Sequence, residues 1–193
     1  MENNIPNKTL KKFARIASEA MIDDPVYVRT CKNVKTRKKM LYHVTLLRLY
    51  ASRKADRIYI DEEERGLMVL RYSRNDYTVG EFLKCPNWPM LFVLRPYVVK
   101  LFDIIGRFDN KGIFDDKTYC IVPIFVAKEH QRKGVAANLI KRGLEDMRAR
   151  GCKIGLETQN PANLSFYEKV GFTQVGHDYY EDLDMHTYYM VIE

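Results

Sequence analysis

From Lys8 to Ile22, Leu10, Phe13, Ile16, Ala17, Ala20 and Met21 recur at helical spacing among charged residues. That pattern predicts an amphipathic helix, and Asp23-Asp24-Pro25 predicts its stop. A second helix is expected over Thr36–Lys54, with Met40, Val44, Leu47 and Tyr50 or Ala51 on its buried stripe and the basic side outward. Arg57–Ile60 and Leu67–Tyr72 are β-favouring runs separated by the charged turn Asp61–Gly66, which reads as a hairpin. Between Tyr77 and Asn110 the pattern says least, because Pro86, Pro89 and Pro96 punctuate two apolar helical stretches.

From Lys117 onward the pattern becomes strand, helix, strand, helix, strand, strand. Thr118–Val126 is a near-continuous apolar run of central-strand type, and Arg132–Arg150 is helical with Gly151 as its stop. Lys153–Thr158 is the next strand, Asn163–Val170 a short helix stopped at Gly171, and Phe172–Tyr180 with His186–Ile192 a final hairpin. A crossover helix between two strands favours a parallel pair. Pro123 has no N–H for a sheet ladder, so either the strand does not continue through it or it bulges and parts from its neighbour there. A parted strand leaves backbone groups free to bind something.

Composition narrows the class. A chain of 193 residues is long enough for one well-buried core and short for two, which predicts one domain over residues 1–193. The cysteines at 31, 85, 120 and 152 form no Cys-x-x-Cys pair, and the four histidines show no metal-ligand spacing; the thiols read as reduced and the chain as metal-free. Met1–Thr9 is polar and unlike a signal peptide, so a cytoplasmic protein is expected. Trp88–Ile105 is broken by Pro89, Arg95, Pro96, Lys100 and Asp103, and reads as a buried helix beside a pocket rather than a membrane contact. The net charge of +7 includes a cluster at Lys32, Lys35, Arg37, Lys38 and Lys39, followed by Arg48, Arg53, Lys54 and Arg57. Such a surface would attract a polyanion, nucleic acid included, or serve as a solvated helix face; no stacking aromatic or nucleic-acid motif is interleaved with it.

Gln131, Arg132, Lys133, Gly134, Val135 and Ala136 sit between the buried strand and the long helix. Backbone N–H groups at such a helix start are unpaired and face outward with the positive end of the dipole, which makes an anion site. Gly134 lets the backbone approach a phosphate, Ala136 crowds it little, and Arg132 and Lys133 add positive charge. A basic loop capping a helix also occurs without any ligand. The second block, running from Leu156-Glu157-Thr158 through Asn163, Phe166, Tyr167 and Glu168 to Gly171-Phe172, stands at the distance of the next strand and helix.

Together these two blocks resemble the GNAT superfamily of N-acetyltransferases, and within it the branch similar to puromycin N-acetyltransferase. That branch shows a Gln-x-x-Gly-x-Gly/Ala loop followed by Leu-Glu-Thr and Asn-x-x-Phe-Tyr-Glu-x-x-Gly-Phe. The close match covers Ile121–Phe172, and a weaker one extends through Phe13 to Asp24-Pro25, resembling the first helix of the family and the acceptor-side loop after it.

The resemblance implies an α/β fold with a mixed, mostly antiparallel sheet flanked by helices, in which two parallel strands splay to admit acetyl-CoA as co-substrate. It implies that the backbone of Ile124, Phe125 and Val126 meets the acetyl and pantetheine part, that Gln131 belongs to the loop, and that Arg132 to Ala137 cradle the diphosphate. Asn163, with Asn160 as competitor, would hydrogen-bond the pantetheine arm, or cap the following helix. The implied reaction is direct attack of a primary amine on the thioester. Glu157 is the candidate base, through water, or a structural carboxylate; Tyr167 would protonate or hydrogen-bond the departing thiolate. Asp23 and Asp24 would hold a cationic amine or simply build a turn, and His177–Asp184 is expected to form another wall. The branch favours a small-molecule amine acceptor, with a protein or aminoacyl-tRNA acceptor, or a non-catalytic CoA-binding module, as rivals. A monomer and a homodimer both fit. The pattern departs from the family in its first strand, for which only Glu2–Pro6 remain, and in bulky Phe125.

Overall fold

The computed structural model describes residues 5–73, 80, 85–108 and 112–193. Most of the expected first strand, parts of the Tyr77–Asn110 region and the start of Asn110–Lys117 lie outside the described residues. Helix α1 runs over Asn7–Ala20 and buries Leu10, Phe13, Ala14 and Ala17, a strict i, i+3, i+4, i+7 stripe. The expected stop at Asp23-Asp24-Pro25 is also a start. Asp24 accepts the Val26 N–H at 3.0 Å and Pro25 opens a further short helix, α2 (Pro25–Thr30). Proline at the first helical position lacks only an N–H that would have been unpaired anyway.

Helix α3 (Val34–Ala55) begins where the Asn33 side chain accepts the Thr36 N–H at 3.0 Å. Two of its cations leave the expected solvated face. Arg37 is buried, its Nε donating to the Ile22 carbonyl at 2.7 Å and its Nη1 to the Cys31 carbonyl at 2.7 Å, so it ties α3 to both ends of α2. Arg48 is half-buried, four residues after Val44 and therefore beside the apolar stripe. The proline-rich region contributes α4 (Met90–Val93) and α5 (Arg95–Arg107). The expected buried helix is only one-sided: α5 buries Val98, Leu101 and Ile104, whereas Phe92 and Val93 are each 67% exposed. No helix among the described residues is long and apolar enough to cross a membrane.

Six strands, β1 (Arg57–Ile60), β2 (Gly66–Tyr72), β3 (Thr118–Val126), β4 (Lys153–Thr158), β5 (Thr173–Tyr180) and β6 (Met185–Ile192), form one sheet in the order β1-β2-β3-β4-β6-β5. Every pairing is antiparallel except β3 with β4. Helix α6 (Val135–Arg148) makes the crossover between them, and α7 (Leu164–Val170) follows β4. Met68, Leu70, Ile154, Leu156 and Met190 meet Leu139, Ile140, Leu144 and Met147 of α6 in one core layer. On the other face Leu67, Val69 and Phe125 meet Leu10, Phe13, Leu46 and Leu49 of α1 and α3. The ring of Phe125 lies 6.3 Å from that of Phe13, so its bulk joins this core.

Pro123 decides the shape of the centre. Along β2, Met68 pairs with Ile124 but Leu70 pairs with Ile121, so Val122 and Pro123 together oppose the single Val69. Along β4, pairing covers only Thr118 with Lys153, Tyr119 with Ile154 and Cys120 with Gly155. Beyond that point β4 keeps its ladder to β6, and β3 its ladder to β2, while the two part from one another. The proline has no N–H for the ladder, and the bulge lets the strand turn away.

Candidate active site

The parted strands open into a cavity of about 770 Å³ that passes through the sheet. Ile121 to Val126 line one side of the gap and Leu156 to Asn160 the other. At one end stand Gln131 and Ala136, at the other Asp24 and Tyr27 of the α1–α2 junction, Arg48 of α3 and Phe102, Ile105 and Phe108 from α5 and its end. Asn163, Phe166 and Tyr167 close the α7 side.

The loop before α6 departs from the expected helix start at Arg132. Arg132 has φ 62° and Gly134 φ 81°, both left-handed, so the helix begins only at Val135. Gly134 occupies the N-cap position and, having no side chain, leaves the first-turn N–H groups uncapped. No carboxylate lies in that turn. A β-carbon on Gly134 would have no heavy atom within 4 Å, so this surface is open. Gln131 Nε2 donates to the Val126 carbonyl at 3.1 Å and joins the loop to the strand end. Arg132 and Lys133 are exposed, and the Val135 side chain is buried in the core, which leaves its backbone for any anion. Of this loop and helix start only Gln131 and Ala136 line the cavity; Arg132, Lys133, Gly134, Val135 and Ala137 do not.

The two asparagines divide the work the sequence left open. Asn160 is the cap: its side-chain oxygen accepts the Ala162 N–H at 3.1 Å, opening the turn Pro161–Asn163. Asn163 precedes α7 but makes no capping hydrogen bond with its side chain. Both line the cavity.

Tyr167 is 8% exposed and packed against Phe166 and Phe172. Burial, followed by the nearby Asp24 carboxylate, pushes its hydroxyl up to about 12, so it remains a donor throughout the neutral range. Asp24 caps α2, Tyr167 lies on α7, and both line the cavity. Burial likewise pushes Asp24 up to about 6, against the pull of the Val26 and Tyr27 N–H groups. Glu157 is half-buried on β4 opposite Tyr189. Burial, then the Glu157 charge, pushes the Cys120 thiol up to about 12, so it is not a thiolate at neutral pH.

Tyr27 and Arg48 were not singled out as site residues in the sequence. Burial raises the Tyr27 hydroxyl above its ordinary value, while the hydrogen-bonded Arg48 guanidinium opposes that rise. The signal for Arg48 was its place beside the stripe of Val44 and Leu47. Conversely, among the described residues none of His177 to Asp184 lines the cavity. Leu183 and Met185 instead pack behind the acceptor-side helices, in a cluster with Tyr27, Val98 and Phe108.

Residues 93–172 match the acetyltransferase (GNAT) family. This stretch contains β3, the uncapped start of α6, β4 and Tyr167, the parts that build the gap. Over these residues the chain carries a GNAT acetyltransferase match.

Two solved structures share its fold. A Corynebacterium glutamicum protein described as histone acetyltransferase HPA2 and related acetyltransferase is 18% identical, with a TM-score of 0.64 over 97% of this chain and 92% of that one. A Desulfovibrio desulfuricans protein assigned to the GNAT family is 14% identical, with a TM-score of 0.54 over 98% and 94%. A Bacillus anthracis protein assigned as a streptothricin acetyltransferase, solved with acetyl coenzyme A, is 22% identical, with a TM-score of 0.46 over 72% of this chain. The matched region spans 63% of that protein's length.

Proposed function

We infer that this GNAT domain transfers the acetyl group of acetyl-CoA to the primary amine of a small molecule by direct attack on the thioester. One observation carries the reading: a single cavity joins the uncapped start of α6 to the Asp24–Tyr27–Arg48 end, with Tyr167 between them. The residues fit the cofactor. Uncapped N–H groups of Val135 to Ala137, with Arg132 and Lys133 beside them, match a diphosphate. The unpaired edges of Ile124 to Val126 match an amide-bearing arm, which Asn163, free of capping duty, would also meet.

Bound acetyl-CoA would supply a carbonyl carbon open to attack and a thiol leaving group. The chain's own residues position the amine, take up its proton and donate to the sulfur as the C–N bond forms and the C–S bond breaks. An alkyl amine is a free base in only about one molecule in a few thousand at pH 7, so a proton acceptor matters; Glu157, in the cavity wall, takes this role in our reading, through water. Tyr167 keeps its proton and can donate to the developing thiolate. Cys120 is buried, does not line the cavity and has its thiol pushed up to about 12, which favours one direct transfer over a cysteine-borne acetyl group. A cavity of this size suits a small molecule.

The test is acetyl-CoA-dependent release of free thiol with a panel of primary amines, set beside peptide and RNA-bearing acceptors. Turnover with small amines that is insensitive to salt supports the reading. Turnover confined to RNA-bearing acceptors and falling steeply with salt would transfer the function to the basic face of α1 and α3. Cofactor binding without transfer to any acceptor class would make the domain a binding module.

A further inference from the structure

Deepening that reading, we propose that Asp24 is the anchor for the acceptor's ammonium group, and that the acceptor is a cationic primary amine carrying an apolar body.

Three observations converge on this carboxylate. First, it is half-buried in the cavity wall, and among the described residues no cationic side chain pairs with it; its recorded partners are the backbone N–H groups of Val26 and Tyr27. Its neighbour Asp23 differs in both respects, with a side chain 82% exposed and 3.9 Å from Arg37 Nη2. Second, Asp24 and Tyr167 line the same cavity and Asp24 acts electrostatically on the Tyr167 hydroxyl, so a group held beside Asp24 stands near the hydroxyl to which the proposed reaction assigns the leaving thiolate. Third, the wall around it is apolar, formed by Met21, Val26, Phe102, Ile105 and Phe108.

The titratable groups lining the cavity with it are Asp23 beside it, Tyr27 on α2, Arg48 on α3, Glu157 on β4 and Tyr167 on α7. Arg48 is hydrogen-bonded to the Tyr27 hydroxyl. Among the described residues no cationic side chain pairs with Asp24, which leaves its carboxylate to a ligand. A desolvated carboxylate without a cation is unfavourable, and the burial that pushes Asp24 up to about 6 expresses that cost. An ammonium ion bound beside it removes the penalty and delivers the amine nitrogen to the reaction centre. A hydroxyl or a neutral amide would not.

The experiment is calorimetric titration of phenethylammonium, and of the uncharged 2-phenylethanol, into the CoA-saturated protein at neutral pH. It is run on wild type, Asp24→Asn and Asp24→Glu, with acetyl-CoA titrated into each. Asparagine is an equally good helix cap, so Asp24→Asn removes the charge and keeps the fold of α2. Loss of a charged hydrogen bond predicts ammonium binding weakened by about ten- to a hundredfold in Asp24→Asn, with partial recovery in Asp24→Glu. 2-Phenylethanol should bind weakly and equally to all three. Equal ammonium affinity in wild type and Asp24→Asn, or no ammonium binding by a wild type that binds acetyl-CoA, overturns the anchor and leaves the acetyltransferase reading standing. Failure of acetyl-CoA to bind a folded wild type overturns that reading instead.

Discussion

If Asp24 is held charged for a ligand, removing its charge should stabilise the free protein. Folding raises this carboxyl from 3.8 to about 6, chiefly by desolvation. A group whose pKa rises on folding binds its proton more tightly in the native state. Between pH 3.8 and about 6 the native chain therefore holds more protons than the unfolded one, and stability falls as pH rises through that window. Above it the full penalty is present, ~3 kcal/mol at most. Asp24→Asn keeps the Val26 cap and abolishes the titration, so the variant should match wild type near the lower end of the window and exceed it by about 1–3 kcal/mol at neutral pH. The assay is urea unfolding of both proteins across this range, compared as a difference. Asp61, Asp115 and Asp146, all held below the usual carboxylate range by hydrogen bonds and nearby cations, contribute the opposite slope to both proteins and cancel. A difference that does not vary with pH, or a variant less stable than wild type at neutral pH, would refute the reasoning.

Three further perturbations test other parts. Tyr167→Phe removes only a hydroxyl from a packed ring and should lower kcat on the order of 100-fold while leaving acetyl-CoA binding unchanged; steady-state kinetics with calorimetry reads both. At Gly155, the last β4 residue paired with β3, an added methyl would lie 2.8 Å from the Phe114 ring and 2.9 Å from Thr118 Cγ2. Gly155→Ala should therefore destabilise the closed end of the gap by about 1–3 kcal/mol in urea unfolding. Arg71 Nη1 lies 3.2 Å from the buried Asp56 carboxylate, so Arg71→Met should cost about 3–5 kcal/mol by the same assay.

What could be read in advance followed from how local each signal was. The limits of β1, β3 and β4 coincide with their apolar runs because turns or charged residues bound each of them. Pro123 announced the parting of the strands because a missing N–H is a local fact. The start of α6 was placed three residues early, since a basic run reads as helix while left-handed Arg132 and Gly134 hold it in a loop. Pro25 was read as an end although it also opens α2. The end of the cavity around Asp24 was the least legible part. It is assembled from Asp24, Arg48 and Phe102, which share no sequence window, and the burial of Arg37 and Arg48 follows from tertiary packing that overrides a cationic run.

The central claim is that the open loop before α6 holds the diphosphate of acetyl-CoA, and Gly134→Glu tests it most directly. The φ of 81° makes any side chain there cost about 1–2 kcal/mol, and the glutamate would project bulk and negative charge into space that is open in the free protein. Acetyl-CoA is titrated calorimetrically into wild type and variant, with circular dichroism confirming both folds. The account predicts binding by wild type and its loss in Gly134→Glu. Equal binding by both, or none by a folded wild type, would contradict it.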